Sequence, residues 1–438
     1  MDRRTFLKSS AATAVALTSA GVGGAPTTKA RTMDERRRVI DNVPKVAFAP
    51  IHDGQYEFTP FPSCLKSVTA HLGVDHAYHY LLGASGAAFR LVWHTERWEG
   101  GNVDIIFMAE DPLEPFRRAL RAAGFEAEII FNSAWQWDNG IWESRREYLA
   151  DVMTGDASVF ENKIIASIDR GVPVIAFGVV GPPEACIITG YDDAGKVLIG
   201  WSMFQEHLDP LHDIAEGGQE GPSGTEPSGY FRQSDWLSKL KGMIVLGERR
   251  EVDVADTYRR ALAWIPTIVK HRRCHEFHTG QAAYDAYIAK MLDDDEYPAG
   301  DMVTLSERRM VHYDAMTMIS ERGNGALFVR DIAAHPDFAG VRATLEAAAD
   351  AFAEANTQMA AWWQVAGQIW SDEDLQVKAT GDPRIRRAFV PHIRRAKEKD
   401  LEAADFIERA LAELLANGRV QHRRRRRLKW CLPHAPTQ

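Results

Sequence analysis

The chain has 438 residues, of which 45% are hydrophobic and 26% charged, and its formal net charge is −9. This length predicts about two domains with a sizeable core, which excludes a disordered chain and a mini-protein. Residues 1–30 and 419–438 are basic, so the acidity is concentrated in residues 31–418. A body this acidic repels a phosphate backbone, and we expect no nucleic-acid partner. Four cysteines are too few for a disulfide scaffold.

The first 30 residues have the pattern of an export signal. The segment Arg3–Lys8 reads Arg-Arg-Thr-Phe-Leu-Lys, and the apolar stretch Ala11–Val22 after it is too short to span a bilayer. This start resembles the twin-arginine signal, whose pathway carries folded proteins, and Ala25 and Ala30 both suit the last position before cleavage. We expect the twin-arginine export machinery as a partner and a soluble mature protein that is periplasmic or extracellular. The alternative is that this basic and apolar N-terminal segment is not a targeting signal.

Residues 31–250 alternate short β-type runs with helical patterns, which predicts a mixed α+β domain. The predicted strands are Val46–Phe48, Val103–Met108, Glu126–Phe131, Val172–Val180, Cys186–Thr189, Val197–Trp201 and Met243–Leu246. The predicted helices are Pro112–Ala123 and Glu161–Arg170. Residues 205–228 are polar and predict a long surface loop, of a length that is usually functional or mobile.

Residues 251–418 lose the β pattern and predict an all-helical C-terminal domain without a fixed repeat. Its predicted helices are Ala255–Ala263, Gly280–Leu292, Leu305–Glu321, Val341–Trp363 and Arg386–Leu415. Residues 419–438 form a basic tail that includes five consecutive arginines at 423–427, and we expect this tail to be disordered. The alternative is a weak contact with an anionic surface, with Trp430 at the interface.

Cys64 lies at a predicted helix start, where Pro62 or Ser63 occupies the first positions. A thiol at this point faces unpaired N–H groups and the positive end of the helix dipole, which lowers its pKa, and Lys66 adds to that effect. Cysteine is also a common small core residue, so a structural role is the alternative.

The second half of the mixed domain carries a family resemblance. Gly171–Gly178 is a strand entered through Gly-Val-Pro, Glu184–Asp193 ends in Gly-Tyr-Asp-Asp, and Lys196–Trp201 follows as the second strand of a hairpin. Together with the Cys64 helix, residues of about 45–250 resemble the papain-like superfamily, and more narrowly the butirosin-biosynthesis protein H N-terminal family and the bacteriocin-processing cysteine peptidases. The resemblance implies a central antiparallel sheet, a Cys-led helix and a catalytic histidine that opens the hairpin strand. The founding member transfers an acyl group from a carrier protein to an aminoglycoside amine.

Carried over by position, Cys64 matches the nucleophile, whereas Glu184 stands where the family has histidine. No carboxylate or amide lies at 200–202 for the third member, and Phe58 occupies the position of the oxyanion glutamine. Glu184 in an apolar pocket would act as an acid, and His52 is the candidate substitute base. The predicted catalytic residues are therefore Cys64, Glu184 and His52. The predicted substrate-binding residues are Gln55, Trp93, His94, Tyr191 and Trp201.

Two further clusters allow more than one interpretation. Cys186 lies two residues after Glu184 on the same predicted strand. It could form a redox pair or a disulfide with Cys64 in an oxidising compartment, but we favour a buried, inert thiol. The residues His271, Cys274, His275 and His278 share one face if they are helical, which permits a transition-metal site. The spacing matches no zinc motif, so we favour a histidine-rich helix start and predict no metal and no cofactor.

Three functions fit these observations. The first is a thiol-dependent acyl or amide transferase or hydrolase that acts on a small or peptide-like substrate with Cys64 as nucleophile. The second is a catalytically silent papain-like protein that binds a ligand in the same cleft. The third is a structural protein, exported folded and held at a surface by its basic tail.

Overall fold

The computed structural model describes residues 36–48, 56–99, 105–133, 145–206, 221–369 and 372–430. These residues form a mixed α+β protein, which confirms the predicted class: most strands lie before residue 250 and most helical residues after it. Within this part, no helix is both long and apolar enough to cross a membrane.

A large mixed sheet organises the first half of the chain. In the described part of the chain its nine strands are β1 Arg38–Val39, β3 Phe125–Asn132, β4 Met153–Thr154, β5 Val174–Phe177, β6 Ala185–Asp192, β7 Val197–Ser202, β8 Gly224–Thr225, β9 Phe231–Gln233 and β10 Gly242–Arg249. Their spatial order is β4-β3-β10-β5-β6-β7-β9-β8, with β1 paired to β6, and among these pairs only β3 and β4 run parallel. The predicted strands Val46–Phe48 and Val103–Met108 are wrong, because residues 46–48 and 105–108 form loop and turn.

A second, three-stranded sheet contains β2 Val92–His94, β11 Arg273–Cys274 and β12 Phe277–Thr279. Its β11–β12 hairpin occupies the segment 271–279, where the histidine spacing suggested a helix, so that prediction is wrong. The hairpin forms because β12 pairs with β2, about 180 residues away in the chain, with Phe277 opposite His94. A local pattern carries no information about such a distant partner.

Thirteen α-helices are present in the described part. They are α1 Pro60–His71, α2 Tyr78–Ala84, α3 Glu114–Ala123, α4 Arg146–Leu149, α5 Ala157–Asp169, α6 Trp236–Lys239, α7 Val254–Lys270, α8 Gly280–Leu292, α9 Met302–Ser320, α10 Arg322–Ala334, α11 Arg342–Ala366, α12 Glu373–Gly381 and α13 Pro383–Trp430. The last of them includes residues 419–430, for which the sequence predicted a disordered tail.

Buried residues before and after position 250 belong to one continuous hydrophobic cluster. Helix α10 packs against α2, and Gly325 of α10 lies against the ring of Phe89, where a β-carbon would come within 2.7 Å of a ring atom. The helical half therefore shares a core with the elements that surround α1.

Candidate functional site

Helix α1 positions Cys64 differently from the sequence prediction. The helix begins at Pro60 after the N-cap residue Thr59, so Cys64 is its fifth residue and not part of an open first turn. Only the first four N–H groups of a helix lack an intrahelical acceptor. The Cys64 side chain is 0% exposed and lies in the main hydrophobic core.

Aromatic contacts fix the end of α1 against the sheet. Phe61 packs edge-to-face on Phe116 at 4.7 Å between ring centroids and also contacts Phe177, the last residue of β5. Cys64 follows Phe61 by one turn and shares its helix face. Phe177 pairs across the ladder with Ala185, the first residue of β6. Cys64 and Glu184 therefore belong to elements that meet at one end of the sheet.

Glu184 closes the connection between β5 and β6. Its carbonyl accepts a hydrogen bond from Gly178 N at 3.0 Å, and its own N–H donates to the Pro182 carbonyl at 2.6 Å. Gly181 lies between them in the left-handed region, with φ of 80°. The Glu184 side chain is 5% exposed, so the structure buries this carboxyl group beside the sheet, as the apolar-pocket hypothesis requires.

An aromatic rim borders this end of the sheet, and it consists of Lys45, Phe48, Trp201, Phe204 and Glu206. Phe48 and Phe204 pack edge-to-face at 5.1 Å, and both rings are half-buried. Lys45 lies over the Trp201 ring and pairs with Glu206 at 2.5 Å. A β-carbon on Gly181 would approach Phe204 Cβ to 2.6 Å, so the β5–β6 connection lies directly against the rim.

The polar groups nearest to Cys64 in the sequence serve a different partner. Ser63 Oγ donates to Glu57 Oε2 at 2.7 Å, and Lys66 forms an ion pair with the other oxygen of the same carboxylate. Lys66 is thus engaged with Glu57, contrary to its predicted role beside the thiol. Glu57 is not among the predicted site residues, although the i, i+3 spacing of Ser63 and Lys66 places both on the helix face that reaches it.

The position of the third catalytic member holds Ser202, which is used locally. Its hydroxyl donates to the Val180 carbonyl at 3.4 Å and accepts a hydrogen bond from Phe204 N at 3.1 Å. Cys186 pairs across the ladder with Ser202 and is fully buried, and burial raises the pKa of its thiol to about 12. Neither Cys64 nor Cys186 forms a disulfide, which agrees with the inert alternative for Cys186.

Trp93 and His94 lie in β2, outside the rim. Trp93 is 1% exposed and stacks on Tyr287 at 5.3 Å. His94 Nδ1 accepts hydrogen bonds from the N–H groups of Glu96 and Arg97, and burial together with the Arg97 charge lowers the pKa of His94 to about 4. These two residues stabilise a core and a tight turn.

Tyr191 and Trp201 are separated by the length of a strand. Tyr191 lies near the far end of β6 from Glu184, about 20 Å away at the usual rise per residue, and donates to Asp169 Oδ1 at 2.8 Å. Trp201 belongs to the rim and donates from Nε1 to the Val43 carbonyl at 3.0 Å. The structure thus brings Trp201 to the same end as Cys64 and Glu184, and Tyr191 to the opposite end. His52 and Gln55 fall outside the described residues.

The β11–β12 hairpin does not place His271, Cys274, His275 and His278 on one helix face. Cys274 is buried, and burial raises the pKa of its thiol to about 11, while His275 Nε2 contacts the Glu110 carbonyl. Among the residues that the structure describes, no group of three or more His, Cys, Asp or Glu side chains is arranged to hold a metal ion.

A scan against protein-family models and a search of curated proteins both found no match for this chain. The features that bear on function lie together at one end of the sheet. That geometry consists of a buried thiol, a buried carboxyl group and a half-exposed aromatic rim.

Proposed function

We propose that the chain is an exported papain-like protein that binds a small or peptide-like ligand at the aromatic rim and does not use Cys64 as a nucleophile. The burial of Cys64 is the observation that carries this proposal. A catalytic thiol reacts as the thiolate and must meet its substrate, whereas an apolar surrounding favours the neutral thiol. Cys64 is 0% exposed and packs in the core.

Glu184 supports the same conclusion. In cysteine peptidases an imidazolium pairs with the thiolate and later protonates the leaving group. A carboxyl group is neutral or negative in its two protonation states, so it cannot form that ion pair with Cys64. Lys66, the nearest cation along α1, is held by Glu57.

The rim has the composition of a binding surface. Phe48 and Phe204 offer an apolar face that is only half covered by the protein, and Lys45 and Glu206 place a cation and an anion at its border. An apolar surface with a few polar groups that fix orientation is the usual form of a small-molecule site. A ligand with an apolar side chain and charged or amide ends, such as a short peptide, matches this rim.

The thiol-dependent acyl or amide transferase or hydrolase is the second candidate. The contact of Phe61 with Phe177 favours it, because this contact brings the helix of Cys64 to the strand end that precedes Glu184. In this alternative, both side chains would become accessible when ligand binds.

Ligand-dependent thermal stabilisation tests the proposal, with a panel of N-acetyl dipeptide amides as probes. We expect the wild type and Cys64→Ala to show equal shifts in melting temperature, because the thiol does not contact the ligand. Phe204→Ala should lose the shift, whereas Phe406→Ala should retain it, since Phe406 is a half-buried aromatic residue on α13 and lies outside the rim.

An acylation assay on the same proteins tests whether Cys64 acts as a nucleophile. With p-nitrophenyl acetate, we expect no burst of nitrophenol from the wild type beyond that from Cys64→Ala. A stoichiometric burst that disappears in Cys64→Ala, together with an acetyl group on the Cys64 peptide, would establish the thiol enzyme instead.

A further inference from the structure

The C-terminal end of helix α13 carries a dense run of positive charge. Residues 414–438 contain six arginines and one lysine but no Asp or Glu, and five of the arginines are consecutive at positions 423–427. No acidic residue lies within four positions of any of these seven cations. Ion pairs between neighbouring turns of one helix join residues three or four positions apart, so the helix cannot neutralise this run by itself.

Helix α13 continues past the point where it packs against the core. Among the side chains that the structure describes, Ala410 is the last fully buried one on this helix, Leu414 is half-buried and Leu415 is 65% exposed. The backbone remains helical to Trp430. At a rise of about 1.5 Å per residue, Arg423 lies about 13 Å beyond Leu414 along the helix axis, which exceeds the Debye length of about 8 Å at physiological ionic strength. Salt therefore screens the arginines from most of the negative charge of the protein body.

Mutual repulsion among the arginines weakens this end of the helix. Arg423 lies three positions before Arg426 and four before Arg427, and residues at these spacings are neighbours on a helix surface. Like charges at these spacings lower the stability of a helix. A negatively charged surface removes this repulsion, so binding to such a surface should increase the helical content of the segment.

The residues that follow the arginines indicate which negatively charged surface fits. Residues 428–432 read Leu-Lys-Trp-Cys-Leu, so a short apolar end comes directly after the cations. A membrane has the same order of layers, with anionic headgroups over an apolar interior, and Trp favours the boundary between them. A nucleic acid offers phosphate groups with no apolar layer beneath them, and it would leave both leucines in water. The segment therefore matches a lipid surface better than a nucleic acid.

We infer that residues 419–432 bind the protein to the surface of a membrane that contains anionic phospholipids. The arginines at 423–427 pair with headgroup phosphates, and Leu428, Trp430 and Leu432 enter the boundary with the acyl chains. The contact is peripheral, because an apolar end of five residues is far too short to span the hydrocarbon core. It is separate from ligand binding at the aromatic rim, to which none of these residues belongs.

A fluorophore at Cys431 tests this contact directly, since the other three cysteines are buried. The full chain is labelled with a thiol-reactive, polarity-sensitive dye and titrated with vesicles of equal parts phosphatidylcholine and phosphatidylglycerol. We expect a blue shift of the dye emission with these vesicles and none with phosphatidylcholine alone. High salt should weaken the binding, because salt screens exposed charges. Binding through the basic N-terminus alone would leave Cys431 in water and the dye emission unchanged, which would contradict the inference.

Removal of charge identifies the residues that bind. The double variant Arg426→Gln, Arg427→Gln should weaken the affinity for the anionic vesicles about 25-fold, at roughly fivefold for each cation near such a surface. The matched control is Arg272→Gln, Arg394→Gln, which removes two exposed arginines of the protein body and should leave the affinity unchanged. Equal losses in the two variants, or an equal response to neutral vesicles, would overturn the inference.

Competition with RNA tests the other partner that a run of arginines could bind. A single-stranded RNA is added to the vesicle-bound protein at the same phosphate concentration as the accessible lipid. We expect the shifted dye emission to persist, because RNA offers no apolar layer for the end of the helix. Loss of the shift would overturn the inference and assign the arginines to a nucleic acid.

Discussion

Asp400→Asn is expected to lower the free energy of unfolding by about 3–5 kcal/mol, the cost of leaving one charge of a buried ion pair without its partner. Asp400 on α13 and Arg322 on α10 are 1% and 0% exposed, and Arg322 Nη2 lies 2.7 Å from Asp400 Oδ2. The Tyr284 hydroxyl donates to the same carboxylate oxygen at 2.9 Å. An amide at this position accepts fewer of these hydrogen bonds and leaves the guanidinium charge uncompensated.

Arg322 also extends this ion pair into the mixed half of the protein. Its Nη1 donates to the Arg90 carbonyl at 2.5 Å and to the Ala88 carbonyl at 3.3 Å, both just beyond α2. Loss of the Asp400 charge should therefore loosen the packing of both halves together. Urea unfolding monitored by tryptophan fluorescence and by circular dichroism measures this effect, and both signals should shift to lower urea by the same amount.

Asp405→Asn is the matched control for this change. Asp405 lies on the same helix and pairs with Lys270 at 2.7 Å, but both side chains are substantially exposed. Exposed ion pairs contribute about 0–1 kcal/mol. If Asp400→Asn and Asp405→Asn lowered the free energy of unfolding by similar amounts, the assignment of Asp400 to a buried ion pair would be contradicted.

Acid is expected to destabilise the protein through His312, by about 3 kcal/mol between pH 6.5 and pH 4. His312 is 0% exposed, and burial, with a smaller contribution from Arg309, lowers its pKa to about 3. The unfolded chain binds this proton near pH 6.5 and the folded chain does not. The resulting stability is fully present above pH 6.5 and is lost as the pH falls toward 3.

Two variants separate the charge of His312 from its packing. His312→Phe should flatten the dependence of unfolding free energy on pH between 6.5 and 4, since no imidazole remains to take up a proton. Tyr287→Phe removes the hydroxyl that bonds to His312 Nδ1 but keeps the imidazole. It should lower stability at every pH and retain the slope. Equal slopes in His312→Phe and the wild type, measured by urea unfolding across this range, would contradict the prediction.

The sequence predicted those elements whose local pattern agrees with their packing. Gly280–Leu292 and the β5–β6–β7 region were predicted because apolar periodicity and burial coincide there. Helix α10 was missed because Gly323, Asn324 and Gly325 have low helix propensity. Their roles are tertiary: Gly325 leaves room for the ring of Phe89, and the Asn324 amide donates to Glu321 Oε2 at 2.6 Å.

The sequence predicts the helix and strands that form the candidate site, but it does not predict how deeply their side chains are buried. The Pro-Ser-Cys pattern predicted a helix around Cys64, and the structure contains it two residues earlier. The depth of Cys64 depends on Phe61, Phe116 and Phe177, which meet from three separate elements. The sequence predicts Trp93 as a substrate-binding residue, yet its ring packs on Tyr287, which lies almost 200 residues further along the chain and could not be inferred from the local pattern.

The pH dependence of alkylation at Cys64 tests the central claim most directly. Native protein is treated with iodoacetamide from about pH 5 to pH 10, and each labelled cysteine is located by peptide mass mapping. If burial protects the Cys64 thiol, it should react as slowly as the equally buried Cys186. Both thiols should react rapidly once urea unfolds the chain. Fast labelling of Cys64 below about pH 7 while Cys186 stays protected would show an accessible, stabilised thiolate, and would contradict the assignment of Cys64 to the core.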